Sequence, residues 1–459
     1  MKKLKLALLS VILAVSCSSE SGGGNDGSGT PLPTNPSASL SDDELMTQVQ
    51  RESFRYFWDL AHPDCKLARE RYLIDDPTYD QNIVTTGGSG FGLMTILVGI
   101  ERGFVQRAEA VTRLTTALNF LENADRFHGA WPHWMNGTTG DVIPFGTMDN
   151  GGDLVETAFL CEGLICVREY FKNGSAAEQA LSQKANALWE GVEWDWYTKG
   201  ENALYWHWSP DYEWQMNFKL EGYNECLAAY IMGAASPTHP IPNEAYHQAW
   251  ARNGAIVTSG TKYGIPLIFN HNGATNNVGP LFWAHYSYLG LDPRGLSDQY
   301  ANYWDLNKNH TEIIYQHCVT NPNNWNGYSD KCWGLTASYT RNSDGSTGYT
   351  AHQPNNDTGV ITPTAALSSF PYTPTESMRF LRYLYEEKKA TLVGYAGPYD
   401  AFSPPYNWVT RRYLAIDQGT IAPMIENHRT GLLWDLFMQA TEVQTGLQNL
   451  GFSSTQHGF

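Results

Sequence analysis

The sequence is short of charge, and of positive charge above all. Only 17% of its 459 residues are charged, with 30 Lys and Arg against 47 Asp and Glu, a net charge of −17; a typical soluble protein carries about 25% charged residues. This balance excludes nucleic acid as a partner, because phosphate backbones demand a basic surface. Beyond the N-terminal segment no stretch approaches the ~18 uninterrupted apolar residues of a membrane span. The chain has no CxxC pair, P-loop, HExxH or GxSxG, which leaves zinc-ribbon, thioredoxin-like, nucleotide-binding and serine-hydrolase chemistry without a motif. Gly88-Ser-Gly90-Phe-Gly92 does not match the dinucleotide fingerprint. Asp305-Leu-Asn307-Lys-Asn309 opens like a calcium loop, but its sixth and twelfth positions are His310 and Gln316. Neither a metal nor a cofactor is expected.

Aromatic rings are what the chain has in plenty: 16 Trp, 26 Tyr and 18 Phe, 13% of all residues. A chain crowded with rings and poor in charge folds rather than staying disordered. It favours a neutral, polar ligand with flat faces to stack on, and carbohydrate fits best.

The N-terminus reads as an address. Met1-Lys2-Lys3-Leu4-Lys5 is basic, Leu6–Val15 is apolar but too short to span a bilayer, and Leu13-Ala14-Val15-Ser16-Cys17 resembles a lipobox. Residues 1–16 are expected to be a lipoprotein signal peptide, with an ordinary secretory signal as the alternative. Residues 17–39 then form a Gly/Ser/Pro-rich tether starting at lipidated Cys17. The expectation is an exported protein on the periplasmic side or outer surface of the outer membrane, held to the membrane only through Cys17, and a monomer. Of the other six cysteines, Cys318 and Cys332 flank a polar loop and are candidates for a disulfide; Cys161, Cys166 and Cys226 read as buried thiols.

A capping box at Ser41–Glu44 starts a helix. Helical spacing recurs at Gly92–Arg102, Ala108–Asn123, Leu154–Phe171, Ala176–Trp189, Glu221–Met232, Glu244–Asn253, Gly279–Leu289, Leu296–Lys308, Pro363–Phe370, Thr375–Lys388 and Ile421–Thr445. Strand-like pieces such as Leu204–Trp208 are short and do not alternate with helices, which argues against a parallel sheet. About a dozen helices without a fixed repeat predict an all-α fold, a single (α/α)6 toroid over residues 40–459, in preference to an open array of helix pairs.

Acids cluster in apolar company. Asp149, Asp153 and Glu156 are spaced i, i+4, i+7, one helical face if a helix ran through them; the glycines at 151 and 152 put the helix start near there, with Asp149 in the loop. Crowded carboxylates repel, so one of them resists ionisation; the alternative is an ordinary helix cap. Glu225 stands among apolar neighbours, where a carboxyl keeps its proton near neutrality and serves as a general acid. Asp400 and Asp417 stand in similar surroundings. Arg429 is expected to pair with Glu426 as a structural bridge. Four ring clusters offer sugar platforms: Trp131-Pro-His133-Trp134, Trp206-His207-Trp208, Trp283-Ala-His285-Tyr286 and Tyr406-Asn-Trp408.

Thr86-Gly-Gly-Ser-Gly-Phe-Gly92, Asp149-Asn-Gly-Gly-Asp153-Leu-Val-Glu156, Tyr223-Asn-Glu225, Tyr399-Asp-Ala-Phe402, Ala415-Ile-Asp-Gln-Gly419 and Ile425-Glu-Asn-His-Arg-Thr-Gly-Leu-Leu-Trp434 together resemble the bacterial glucoamylase-like domain. More narrowly, they resemble glycoside hydrolase family 144, the bacterial β-1,2-glucanases. The resemblance implies an (α/α)6 barrel that cleaves β-1,2-glucan with inversion, either within the chain or releasing sophorose from its end. It matches Asp149, Asp153, Glu156 and Glu225 to the essential acids, Glu225 as general acid, and leaves Asp417 and Asp400 as candidate bases, with Asp417 preferred. Candidates for binding the glucan are Trp131, His133, Trp134, Trp206, His207, Tyr223, Asn224, Trp283, Tyr286, Tyr399, Phe402, Trp408, Gln418, Glu426 and Arg429. His428 departs from the family pattern, where Tyr is expected. The alternatives are a hydrolase of another glucosidic linkage and a glycan-binding lipoprotein without catalysis.

Overall fold

A computed structural model describes residues 40–459; the segments expected to be a signal peptide and a tether, Cys17 among them, lie outside the described residues. The fold is mostly α, with helices in two kinds of environment. Thr86–Glu101, Leu154–Phe171, Leu227–Ala235, Pro363–Leu367 and Ala415–Arg429 are buried on nearly every side. Asp42–Trp58, Arg107–Asn123, Ala176–Glu190, Pro374–Arg382 and Thr441–Asn449 each bury one face and wet the other. This follows from sequence: a helix apolar all round has to be enclosed, whereas an amphipathic one covers it.

The inner helices pack closely because glycine lets them. Thr86–Glu101 lies against both Leu154–Phe171 and Ala415–Arg429. Gly90 and Gly163 face each other, and a Cβ on either would run into the backbone of the opposite helix.

Thr86–Glu101, Leu154–Phe171, Leu227–Ala235 and Ala415–Arg429 all begin beside one cavity, to which Thr85, Glu156, Glu225 and Ile416 contribute surface. Short antiparallel pairs hold the entering loops. Arg71–Leu73 pairs with Arg412–Leu414, Ile83–Thr85 with Trp134–Asn136, and Gly152–Asp153 with His207–Trp208. A longer hairpin, Ala337–Arg341 with Thr347–Ala351, carries Tyr339 and Tyr349 to the cavity wall.

Several sequence expectations are corrected. Ile421–Thr445 is not one helix: it breaks into Ala415–Arg429, Leu432–Met438 and Thr441–Asn449, first at Gly431, which adopts φ +78°, and again at Ala440, which is extended. Gly279–Leu289 forms two 3₁₀ turns behind Pro280. Leu296–Lys308 gives way to a helix over Tyr303–Thr320, started by the Asn302 side chain. Glu244–Asn253 is a short turn followed by a π-helical one. The helix expected at Glu221 begins only at Leu227, so Glu225 sits in the turn before it. Cys318 and Cys332 are separate thiols, and all six described cysteines are buried and free. Burial raises the thiols and keeps them inert. Among the described residues no helix is long and apolar enough to cross a membrane.

Candidate active site

The cavity at the inner helix ends holds about 370 Å³. It adjoins an outer hollow of about 640 Å³, with His133, Phe145 and Trp206 in the walls of both. Phe145 and Phe218 stand half exposed at the rim, offering ring faces to a ligand.

On one side Asp153 caps the Leu154–Phe171 helix. Its Oδ1 accepts from the backbone N–H groups of Val155 and Glu156, both at 3.0 Å, and from the Trp206 indole at 2.9 Å. Its Oδ2 lies 2.9 Å from His133 Nδ1. Burial pushes Asp153 up, but the hydrogen bond from His133, the charges of His207 and His133 and the helix N–H groups together hold it below the ordinary carboxyl range. Burial opposes a charge on His133, yet Glu156 and Asp153 raise it to about 10, so the ring is an imidazolium at neutrality. Asp149, in the preceding turn, lies 3.3 Å from His207 Nε2. His133, Asp149 and Asp153 also bring their ligand atoms close enough to share a cation.

Glu156, three residues into the helix, accepts from the Gly87 N–H at 2.7 Å. Burial raises it above the ordinary range, and the negative charge of Asp153 adds to this against the opposing pull of His133. Asp149, Asp153 and Glu156 are therefore a turn residue, a cap and a first-turn residue rather than one helical stripe.

Glu225 keeps part of its surface open to the cavity. Its carboxyl sits deep enough that burial raises it to about 7. Its own backbone N–H opposes that rise without cancelling it. The Trp283 indole N–H approaches it without closing a full hydrogen bond and has no other partner.

Behind the cavity wall Asp417 Oδ1 accepts from the Tyr286 hydroxyl at 3.2 Å, and Asp400 Oδ2 from the Tyr339 N–H at 2.8 Å. Tyr286 and Tyr339 line the cavity with Glu225. The two aspartates are buried within hydrogen-bonding reach of one another. Asp400 Oδ1 and Asp417 Oδ2 have no other partner, so one proton held between the carboxyls satisfies both. Burial raises both, and the charge of Asp400 pushes Asp417 further.

The structure thus brings Glu225, Glu156, His133, Trp134, Trp206 and Tyr286 to the cavity and Asp149 and His207 to the hollow that adjoins it, with Asp153, Asp400 and Asp417 buried behind. Other expected binding residues lie elsewhere. Trp131 is fully buried, donating to the Leu121 carbonyl beneath the Arg126 guanidinium. Tyr223 is buried behind Trp283, and Asn224 caps the turn at Cys226. Trp283 stacks into this layer and reaches only the Glu225 carboxyl. Tyr399 packs on Tyr413, and Phe402 and Trp408 pack in the small sheet and core below. Gln418 turns to Ser53 and Ala396. Glu426 does not pair with Arg429: it binds Arg102 at 2.7 and 2.8 Å, while Arg429 holds Gln50 and Asp43 at 2.6 Å each. At about 1.5 Å per residue, Glu426 is more than ~13 Å down the helix from Asp417, too far to reach the sugar. His428 packs on Phe370.

Sequence reasoning missed Glu70, Arg71, Phe145, Phe282, Tyr339 and Tyr349 in the lining. Arg71 lies over the Trp134 ring at 5.3 Å. The alternation Arg69-Glu70-Arg71-Tyr72 was the available signal for the first pair; the hairpin residues had none.

Carboxyls that keep protons, one facing a ring-lined cavity and two held by its wall, suit acid–base cleavage of a glycosidic bond, the chemistry of a glycoside hydrolase. Known proteins narrow this. Residues 217–441 match the family model "Glycoamylase", described as "Putative glucoamylase". An endo-β-1,2-glucanase from Chitinophaga pinensis, solved with sophorotriose and glucose, is 55% identical over 91% of this chain and 99% of its own, with a TM-score of 0.88. An exo β-1,2-glucooligosaccharide sophorohydrolase from Parabacteroides distasonis is 41% identical over 90% of this chain; the chain spans 58% of that relative's length. An endo-β-1,2-glucanase from Talaromyces funiculosus shares the fold alone, at 11% identity and a TM-score of 0.65. The chain belongs to the bacterial β-1,2-glucanase family, glycoside hydrolase family 144.

Proposed function

We propose that the protein hydrolyses β-1,2-glucan, cutting within the chain and inverting the anomeric centre. The endo preference rests on the Chitinophaga relative, whose whole length is matched. The observation that carries the reading is Glu225, raised to about 7 by burial and facing a cavity whose wall residues Tyr286 and Tyr339 hold the Asp400–Asp417 pair. Glu225 gives its proton to the leaving glycosidic oxygen. Asp417, once it has lost the proton it shares with Asp400, takes a proton from water attacking the far face of the sugar. Such a water needs the two carboxyls roughly 6.5–9.5 Å apart. Asp153 and His133 lock the opposite wall, and Trp134, Trp206, Phe145 and Phe218 stack on the sugars. The inner and outer helices form an (α/α)6 toroid, and the protein works as an exported monomer anchored through Cys17.

Incubation with linear β-1,2-glucan, starch and β-1,3-glucan tests this. Reducing ends and a ladder of short products from the first polymer alone are expected. Turnover of starch instead, or of none, contradicts it.

A further inference from the structure

A second aromatic groove, of about 550 Å³, lies outside the cavity and shares no lining residue with it. Its floor is Trp196 with Trp214 beside it, ring centres 6.4 Å apart and tilted by 33°. His128 stacks on Trp196 at 3.7 Å, yet Trp196 remains 41% exposed. Nothing in the reaction above uses it.

The rim carries hydrogen-bonding groups of both senses: Glu193 and Asp195, Lys199 and His239. Each is steadied by a neighbour. Glu193 lies 2.9 Å from His128, Asp195 3.1 Å from His239, and Lys199 donates to Asn217 at 2.8 Å. A balanced rim around a ring floor recognises a neutral polyol; the two acids and the net charge of −17 disfavour an anion.

Its position points to which polyol. His207 and Trp208 are consecutive on the strand paired with Gly152–Asp153, and consecutive strand residues face opposite ways. His207 lines the outer hollow of the active site. Trp208 stands edge-on to the groove aromatics, 4.8 Å from His128 and 6.2 Å from Trp196. The groove is therefore the reverse side of the cleft's own wall.

We infer that the Trp196–Trp214 groove is a second glucan-binding site, holding a stretch of the polymer outside the cleft. The inference rests on the proposed activity for the identity of the glucan, not for the presence of the site. A chain held there raises the local concentration of its other segments at the cleft, an advantage open to the polymer and not to a short oligosaccharide.

The test compares the wild type with Trp196→Ala and Trp214→Ala in two assays. On β-1,2-glucan polymer, kcat/KM is expected to fall roughly three- to tenfold in either variant, with no change on a β-1,2-linked pentasaccharide; the pentasaccharide rate and the thermal midpoint report folding. Equal losses on both substrates, or none on either, overturn the inference. Native electrophoresis through gels containing β-1,2-, β-1,3- or α-1,4-glucan separates the two proposals. If the protein cleaves none of these but one retards it and Trp196→Ala abolishes the retardation, the activity falls and the site stands. Retardation of wild type and variant alike, or of neither, overturns the site.

Discussion

The two carboxylate groups of the cavity are equally buried and chemically opposite. Asp153 accepts from two backbone N–H groups, an indole and an imidazolium, and stays ionised. Asp400 and Asp417 have one neutral donor each and share a proton. Burial alone does not make an acid reactive; an unmatched burial does. The matched carboxylate builds the wall, and the unmatched ones hold and move protons.

This contrast can be broken at several points. The largest effect is expected from Glu225→Gln, a loss of about 10²–10⁴-fold in kcat on β-1,2-glucan, the range of one general acid, with the thermal midpoint kept. Asp417→Asn should lose a similar factor. Asp400→Asn should act differently. Without the neighbouring charge Asp417 deprotonates more readily, so the acidic limb of the kcat/KM profile moves to lower pH; a profile displaced upward would break the pairing.

The matched side should show itself in stability. Asp153→Asn removes a buried partner of His133, at a cost of about 3–5 kcal/mol in denaturant unfolding, whereas Asp400→Asn should be near neutral or stabilising. Gly90→Ala, which touches neither group, should cost about 1–3 kcal/mol through forced separation of the inner helices.

A smaller effect is the pH dependence of stability. Glu225 binds its proton more tightly folded, at about 7, than at its ordinary value of 4.5. The stability this confers is full below the ordinary value and is lost as pH rises through about 7. Unfolding of Glu225→Gln, followed across that window, should have a flatter pH slope than wild type.

Much of this was legible in the sequence. The capping box at Ser41, the helix Leu154–Phe171 and the isolated acid at Glu225 rest on local patterns, and local patterns carry over. Glu426 and Arg429 were misread for a reason of geometry: they share a helix with Asp417, but only its first turn meets the cavity; Gln418 is in that turn and points away, to Ser53 and Ala396. Trp131 and Trp283 read as sugar platforms because an aromatic motif looks the same in a core and in a cleft. Tyr339 and Tyr349 were invisible because the hairpin's register and its approach to Asp400 are tertiary facts. The first split of the last helices hung on the positive φ of Gly431.

The most direct test is the anomeric configuration of the first sugar released from β-1,2-glucan, read by proton NMR before mutarotation. Glu225 and Asp417 acting on opposite faces of one ring predict the α-anomer; a β-anomer appearing first would contradict them.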